Sequence, residues 1–145
     1  MTAHARPVED VAVAVEQEHV VGDDHGWFGQ ESLDRYAPGR AAAVMAAVRG
    51  VAQRCTAYTD TLDDGTRTHN TVSVRRADAR ADDSVVLRVA STFSGDTDPF
   101  ITETGFVREG DVIIMVQKMF ARKPRSGVET VLSPAVAAYR AATAG

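Results

Sequence analysis

The sequence is poor in cysteine, and it lacks long apolar runs. Its single cysteine, Cys55, excludes an intramolecular disulfide and therefore a small fold stapled by disulfides. No apolar run approaches the roughly 20 residues that a membrane helix needs, and the most strongly apolar stretch is residues 112–116. Residues 1–10 lack the apolar core of a signal peptide. We therefore expect no membrane insertion by this chain and no targeting signal within it.

The chain has no excess of positive charge. Its 16 basic and 20 acidic residues give a formal net charge of -4 at pH 7. Nucleic acids and anionic membranes attract proteins with a positive field, so we expect no nucleic-acid partner. The length of 145 residues and a hydrophobic content of 44% fit one soluble domain. We predict a single domain over residues 1–145, with residues 1–7 as a loose terminus.

No motif in the sequence identifies an enzyme class. Glycine-rich nucleotide loops, the His-Glu-x-x-His zinc motif and the Gly-x-Ser-x-Gly nucleophile motif are all absent. Two groups of polar residues admit either a site or an ordinary structural role. Residues 23–25 (Asp-Asp-His), and Asp96 and Asp98 with Glu103, hold only part of a metal-ligand set, and turn chemistry accounts for them. We therefore predict no catalytic residue, no metal site and no cofactor.

Residues 40–55 predict the clearest helix, because an apolar stripe recurs along them at spacings of four, three and four residues. The stripe consists of Val44, Val48, Val51 and Cys55. On this stripe Cys55 is predicted to be a small core residue rather than a nucleophile paired with His69. Residues 133–143 predict a second, short helix, with Ser133 as its N-cap and a proline in its first turn.

Alternating apolar residues and turn motifs predict an antiparallel sheet. Strands are expected at residues 66–75, 84–93, 100–108 and 111–120, with tight turns at residues 63–65 and 109–111. Residues 112–116 are apolar on both faces, which is typical of a central strand covered on both sides. Residues 11–15 predict a strand that forms a hairpin with residues 27–31, although a helix over residues 8–20 also fits. The expected fold is α+β: an antiparallel meander with the long helix and the short C-terminal helix packed on one face.

Two apolar features suggest a ligand groove or a partner surface. In the predicted central strand, Ile113, Met115 and Met119 share the face opposite to Val112, Ile114 and Val116. If the helices cover only one face, this second face carries large apolar side chains in water, which is typical of a binding surface. Trp27 and Phe28, beside a glycine-rich turn, are candidates for its rim. The alternative is that the N-terminal hairpin or a second copy of the chain covers this face.

From residue 40 onward the sequence resembles a known family. An Ala-rich helix ending in Arg54-Cys55 is followed by a Thr-rich hairpin, by Asp-Asp-Ser-Val at residues 82–85 and by Val-Arg-Glu-Gly-Asp-Val at residues 107–112. This pattern is similar to the extracellular sensor domains of actinobacterial receptor Ser/Thr kinases and of related sensor-domain lipoproteins. The resemblance implies a non-catalytic, extracytoplasmic module of the bacterial cell envelope. It also implies a cleft for a small envelope-derived ligand or a protein partner.

Two other functions fit the same residues. One is a small enzyme on a cone-like α+β fold, in which His69, Asp24 or Glu103 would act as a general base in an apolar pocket. The other is an interaction module that forms a homodimer through the Ile113, Met115 and Met119 face. The enzyme requires one of its candidate bases to be buried in a pocket with a polar partner, and the dimer requires an open apolar face.

Overall fold

The computed structural model describes residues 7–11, 17–21, 25–120 and 127–144, and the side chains of those from residue 31 onward. The described residues form one antiparallel sheet of eight strands and two helices. The strands are β1 (Pro7–Val11), β2 (Gln17–Val21), β3 (His25–Tyr36), β4 (Ala57–Thr61), β5 (Arg67–Arg75), β6 (Asp83–Phe93), β7 (Phe100–Glu109) and β8 (Val112–Phe120). The helices are α1 (Arg40–Arg54) and α2 (Glu129–Thr143).

The strands follow the order β1-β3-β8-β7-β6-β5-β4, and β2 also pairs with β3. Strand β3 is long enough to pair with two strands along the same edge: β2 pairs with its first half and β1 with its second half. Strand β8 lies between β3 and β7. The prediction of a central strand at residues 112–116 is therefore confirmed. The α+β class and the antiparallel sheet are confirmed as well.

The N-terminal prediction is settled only in part. Residues 17–21 and 25–29 pair as a hairpin, which agrees with the predicted strand at residues 27–31. Residues 7–11 and 17–21 are strands, so the alternative of a helix over residues 8–20 is wrong for those residues. The predicted strand at residues 11–15 is described only at Val11, which pairs with Leu33 and not with residues 27–31 as predicted. Of the predicted loose terminus, Pro7 already belongs to β1.

The two helices lie on opposite faces of the sheet, and not on the same face as the sequence analysis expected. Side chains of β8 alternate between the two faces, so Val112, Ile114 and Val116 pack with α2. The intervening Ile113 packs with Ala41 and Met45 of α1. The alternation in β8 shows that both faces are apolar, and covering each face with its own helix buries both sets of side chains.

Helix α2 begins four residues earlier than predicted, at Glu129, so Pro134 lies inside it rather than in its first turn. Two fully buried side chains fix this early start: Val128 and Leu132 both have no exposed surface. They pack on the α2 face of the sheet above Gly105, where a Cβ atom would lie only 2.8 Å from Leu132 Cδ2. Tertiary packing therefore outweighs the local preference for a start at Ser133-Pro134.

Candidate functional site

A cavity of about 760 Å³ lies between one side of α1 and the sheet. Its floor is formed by neighbouring strands, with Tyr58 from β4, Val72 from β5 and Leu87 from β6. Its other wall is α1, together with Tyr36 at the end of β3. The cavity lies within the range of about 300–1,000 Å³ that is typical of small-molecule sites. It lies on the α1 face of the sheet, opposite to α2.

Helix α1 contacts the sheet and the cavity with different sides. Ala41 and Met45, which are 1% and 0% exposed, pack on Val85 and Ile113 of the sheet. The predicted apolar stripe of Val44, Val48, Val51 and Cys55 lines the cavity, together with Ala43, Ala47 and Ala52. Two of its members, Val44 and Val48, also pack against this core cluster. The helix and its apolar stripe were thus predicted correctly, but the stripe borders an open space and not only the closed core.

Arg49 links α1 to the start of β6. Its guanidinium makes a two-pronged ion pair with Asp83, with Nη1 lying 2.7 Å from Oδ2, and Nη2 donates to the Ser84 carbonyl at 2.9 Å. The hydrogen bonds from Arg49 lower the pKa of Asp83 below its ordinary value. Both side chains are partly buried, so this pair is less screened by water than a surface pair. It holds the helix at the start of β6 while the neighbouring cavity stays open.

The cavity leaves apolar groups in contact with solvent at the C-terminal end of α1. Val51 is 58% exposed and Tyr58 is 39% exposed, and both line the cavity. Cys55 lines it too and is an exposed free thiol. The prediction that Cys55 packs in the core is therefore wrong, because Cys55 follows the last residue of α1 and borders the cavity. Contiguous apolar surface in water is typical of a ligand or partner site.

The five residues predicted to bind ligand do not come together at this cavity in the described structure. Ile113 is 3% exposed and belongs to the core beneath α1. Met115 and Met119 are half-buried on the same face as Ile113, but they do not line the cavity. Trp27 and Phe28 lie opposite Phe120 and Met119 in the register of β3 and β8, and their side chains are outside the described part. A ligand role for Met115, Met119, Trp27 and Phe28 stays a prediction.

Sequence reasoning missed the residues that line the sheet side of the cavity. Strand β4, which carries Tyr58, was not predicted as a separate strand, although the turn at residues 63–65 indicates a hairpin there. Only the apolar stripe of α1 indicated a site, because its last members, Val51 and Cys55, are an apolar and a reactive side chain at the end of the helix. That signal identifies one wall and leaves the opposite wall unassigned.

The candidate general bases lie away from the cavity or outside the described residues. Glu103 is buried, but it lies on the α2 face, where Arg75 Nη2 approaches its Oε2 at 3.2 Å. Lys118 is buried opposite Glu103 in the register of β7 and β8, and this burial lowers the pKa of its ammonium group. His69 is exposed, with Nδ1 lying 3.1 Å from Thr59 Oγ1. Asp24 lies outside the described residues.

The remaining polar groups form no metal site within the described residues. Asp96 and Asp98 are exposed in the connection between β6 and β7, whereas Glu103 is buried and paired. No three His, Cys, Asp or Glu side chains converge in the described part of the chain. Asp23 and Asp24 of the Asp-Asp-His turn lie outside it. Across the same ranges, neither helix is long and apolar enough to cross a membrane.

Comparisons of the chain with protein-family models, with characterised proteins and with solved structures return no match.

Proposed function

We propose that this chain is a non-catalytic binding module that holds an elongated apolar ligand between α1 and the sheet. The carrying observation is the cavity of about 760 Å³, whose walls are mainly alanine, valine, leucine and tyrosine side chains. Apolar walls stabilise a bound ligand by removing its surface from water, at about 25 cal/mol per Å². The fixed position of α1 supports a pocket that exists before the ligand arrives, which lowers the cost of binding.

The composition of the lining favours binding over acid–base catalysis. Among the described residues that line the cavity there is no histidine, aspartate or glutamate. Glu103 is buried with a polar partner, as the enzyme hypothesis requires, but it lies on the other side of the sheet. A ligand in the cavity therefore meets apolar walls, two tyrosines, two arginines and a thiol.

The resemblance to extracytoplasmic sensor domains supports the same proposal. We propose on that ground alone that the module works in the bacterial cell envelope and that its ligand is derived from the envelope. A sensor needs a ligand site and no reaction, and the cavity provides a candidate for such a site. The homodimer proposal has less support, because Ile113 of its predicted face is buried beneath α1.

The proposal is tested by titration with N-phenyl-1-naphthylamine, a neutral apolar probe that becomes fluorescent in a dry pocket. Two exposed alanines of α1 give a matched pair, because Ala47 lines the cavity and its neighbour Ala46 does not. An indole ring at position 47 would occupy the cavity, since a tryptophan side chain covers about 150–250 Å². We expect Ala47→Trp to weaken probe binding about tenfold or more, a change of about 1.4 kcal/mol.

The control Ala46→Trp is expected to bind the probe as the wild type does. Circular dichroism of both variants establishes that they fold equally well. The proposal fails if the wild type shows no saturable binding of the probe. It also fails if the two variants bind the probe with equal affinity.

A further inference from the structure

The cavity is positively charged although the chain as a whole is acidic. The net charge of the chain is -4, yet the described lining contains Arg40 and Arg54 and no carboxylate. A cleft with charge of one sign and apolar walls concentrates the electrostatic field inside it, because the walls exclude water. The lining is therefore suited to a ligand that carries a negative charge as well as apolar surface.

Unlike Arg49, neither of these two arginines has an ion pair or side-chain hydrogen bond that links α1 to a described strand of the sheet. Arg49, on the same helix, is held by Asp83 and by the Ser84 carbonyl. Arg40 and Arg54 form no ion pair or side-chain hydrogen bond with any described residue. A guanidinium group binds carboxylate and phosphate oxygens through two parallel N–H donors. Both side chains thus have their donors available to a ligand.

The two arginines lie at opposite ends of the cavity. They are the first and last residues of α1, which places them about 21 Å apart along the helix axis. One acidic group cannot contact both of them. A ligand with a single acidic group and an extended apolar chain would place the acidic group at one end and lay the chain along the alanine and valine wall.

The end at Arg54 has the donors and the solvent access that an acidic group needs. Tyr58 lines the cavity at this end, only four positions along the chain, and its hydroxyl has no hydrogen-bond partner among the described residues. Val51, one turn before Arg54, is 58% exposed, so this end is open to water. At the other end Tyr36 already has an interaction partner. A charged group that keeps part of its hydration is bound there at a lower desolvation cost than deep in the cavity.

We propose that the cavity binds single-chain anionic amphiphiles, and that Arg54 and Tyr58 hold the acidic group at its open end. This inference rests on the proposed function and adds the chemical class of the ligand. The shared chemistry is an alkyl chain with a terminal carboxylate or phosphate. Free fatty acids and simple alkyl phosphates both supply it, and the test below compares the two.

The test measures how dodecanoate, dodecyl phosphate, dodecanol and dodecylamine displace the neutral probe from the wild-type protein. We expect both anions to bind about three- to fivefold more tightly than dodecanol, as for an exposed ion pair of up to about 1 kcal/mol. Dodecylamine should bind more weakly than dodecanol. The preference should fall as ionic strength rises from about 0.01 M to about 1 M, because the Debye length shortens from about 30 Å to about 3 Å. A preference for only one of the two anions identifies which source chemistry fits.

The variant Arg54→Gln separates the proposal from a general charge effect. It should lose the preference for dodecanoate over dodecanol while its affinity for dodecanol stays the same. The matched control is Arg67→Gln, which removes an exposed arginine of β5 that does not line the cavity. This control should keep the full preference. Tyr58→Phe should lower the preference about twofold, through the loss of one hydrogen bond.

Two results overturn the inference while leaving the proposed function intact. The first is equal displacement by dodecanoate and dodecanol at low ionic strength in the wild type. The second is a preference for dodecanoate over dodecanol that Arg54→Gln leaves unchanged. This result overturns the inference whether or not Arg40→Gln abolishes the preference. Failure of the neutral probe to bind at all overturns the proposed function instead, so the two failures are distinguishable.

Discussion

Replacing Gly105 with alanine tests whether one tight contact seats α2 on the sheet. A Cβ at Gly105 would lie 2.8 Å from Leu132 Cδ2 and 3.4 Å from Val128 Cγ1. Leu132 cannot swing away, because it is fully buried among Val86 and Val107, which are fully buried too. Overpacking of this kind costs about 1–3 kcal/mol. The lower entropy of the unfolded alanine chain returns about 0.4–1 kcal/mol. The difference between these figures is about 0–2.6 kcal/mol, and we expect the upper part of it, about 1–2.6 kcal/mol, because Leu132 is fully buried.

A double-mutant cycle with Leu132→Ala tests whether the cost of Gly105→Ala comes from the contact with Leu132. Leu132→Ala alone should cost about 2–5 kcal/mol, since it leaves a cavity under α2. In that background the new methyl group at position 105 has room, and the clash no longer exists. Gly105→Ala should then be neutral or stabilising by up to about 1 kcal/mol. The sign of the effect is expected to change between the two backgrounds.

The assay is equilibrium unfolding in urea followed by far-ultraviolet circular dichroism. With a slope of about 2 kcal/mol per M, a loss of about 2 kcal/mol moves the midpoint down by about 1 M. Gly50→Ala is the control, because the three atoms nearest to its new Cβ all belong to the flexible Arg54 side chain and the residue lies inside a helix. This control should stabilise the protein by about 0.5–1 kcal/mol. Equal costs of Gly105→Ala in both backgrounds would refute the proposed contact.

Three further predictions concern α1. Asp83→Asn should cost about 1 kcal/mol at pH 7, through the loss of the pair with Arg49. Because Arg49 lowers the pKa of folded Asp83, that stabilisation is complete above the unfolded value near 3.9 and is lost as pH falls through the folded pKa. The difference between the urea midpoints of wild type and variant should therefore shrink as the pH falls below the unfolded value, and a difference that stays constant there contradicts the assignment. Cys55 should react with Ellman's reagent in the native protein, and the neutral probe should slow that reaction; a thiol that reacts only after unfolding would contradict its exposed position. Met45→Ala should cost about 2–5 kcal/mol, since its side chain is fully buried, and a loss below about 1 kcal/mol in the urea assay would show that this contact is unimportant.

Much of the fold could be predicted from local patterns in the sequence. The apolar residues of β6 and β8 divide between the two faces of the sheet because a strand has a two-residue period. The turn at Gly110, with φ of +59°, needs a residue that tolerates the left-handed region. The bounds of α1 follow from its apolar stripe and from the Pro38-Gly39 break before it. These features depend on neighbouring residues alone, so an antiparallel α+β domain with one well-defined helix was predictable.

The candidate site was only half predictable, for a physical reason that α1 illustrates. An apolar stripe at helical spacing has the same pattern whether it faces a packed sheet or an open cavity. The sequence therefore indicates that Val48 and Val51 face something apolar, and it gives no measure of the distance to the opposite wall. That distance depends on contacts between residues far apart in the chain, such as the Arg49–Asp83 pair and the packing of Met45 on Ile113.

What the sequence by itself determined is the class of each strongly periodic element and the apolar character of both faces of β8. Only the tertiary structure decided which helix covers which face, where α2 begins, and that Cys55 borders a cavity. These outcomes depend on contacts between residues far apart in the chain, such as Leu132 over Gly105 and Met45 over Ile113. The alternation of a strand shows that two faces need cover, but the element that covers each is chosen by the packing of the whole domain.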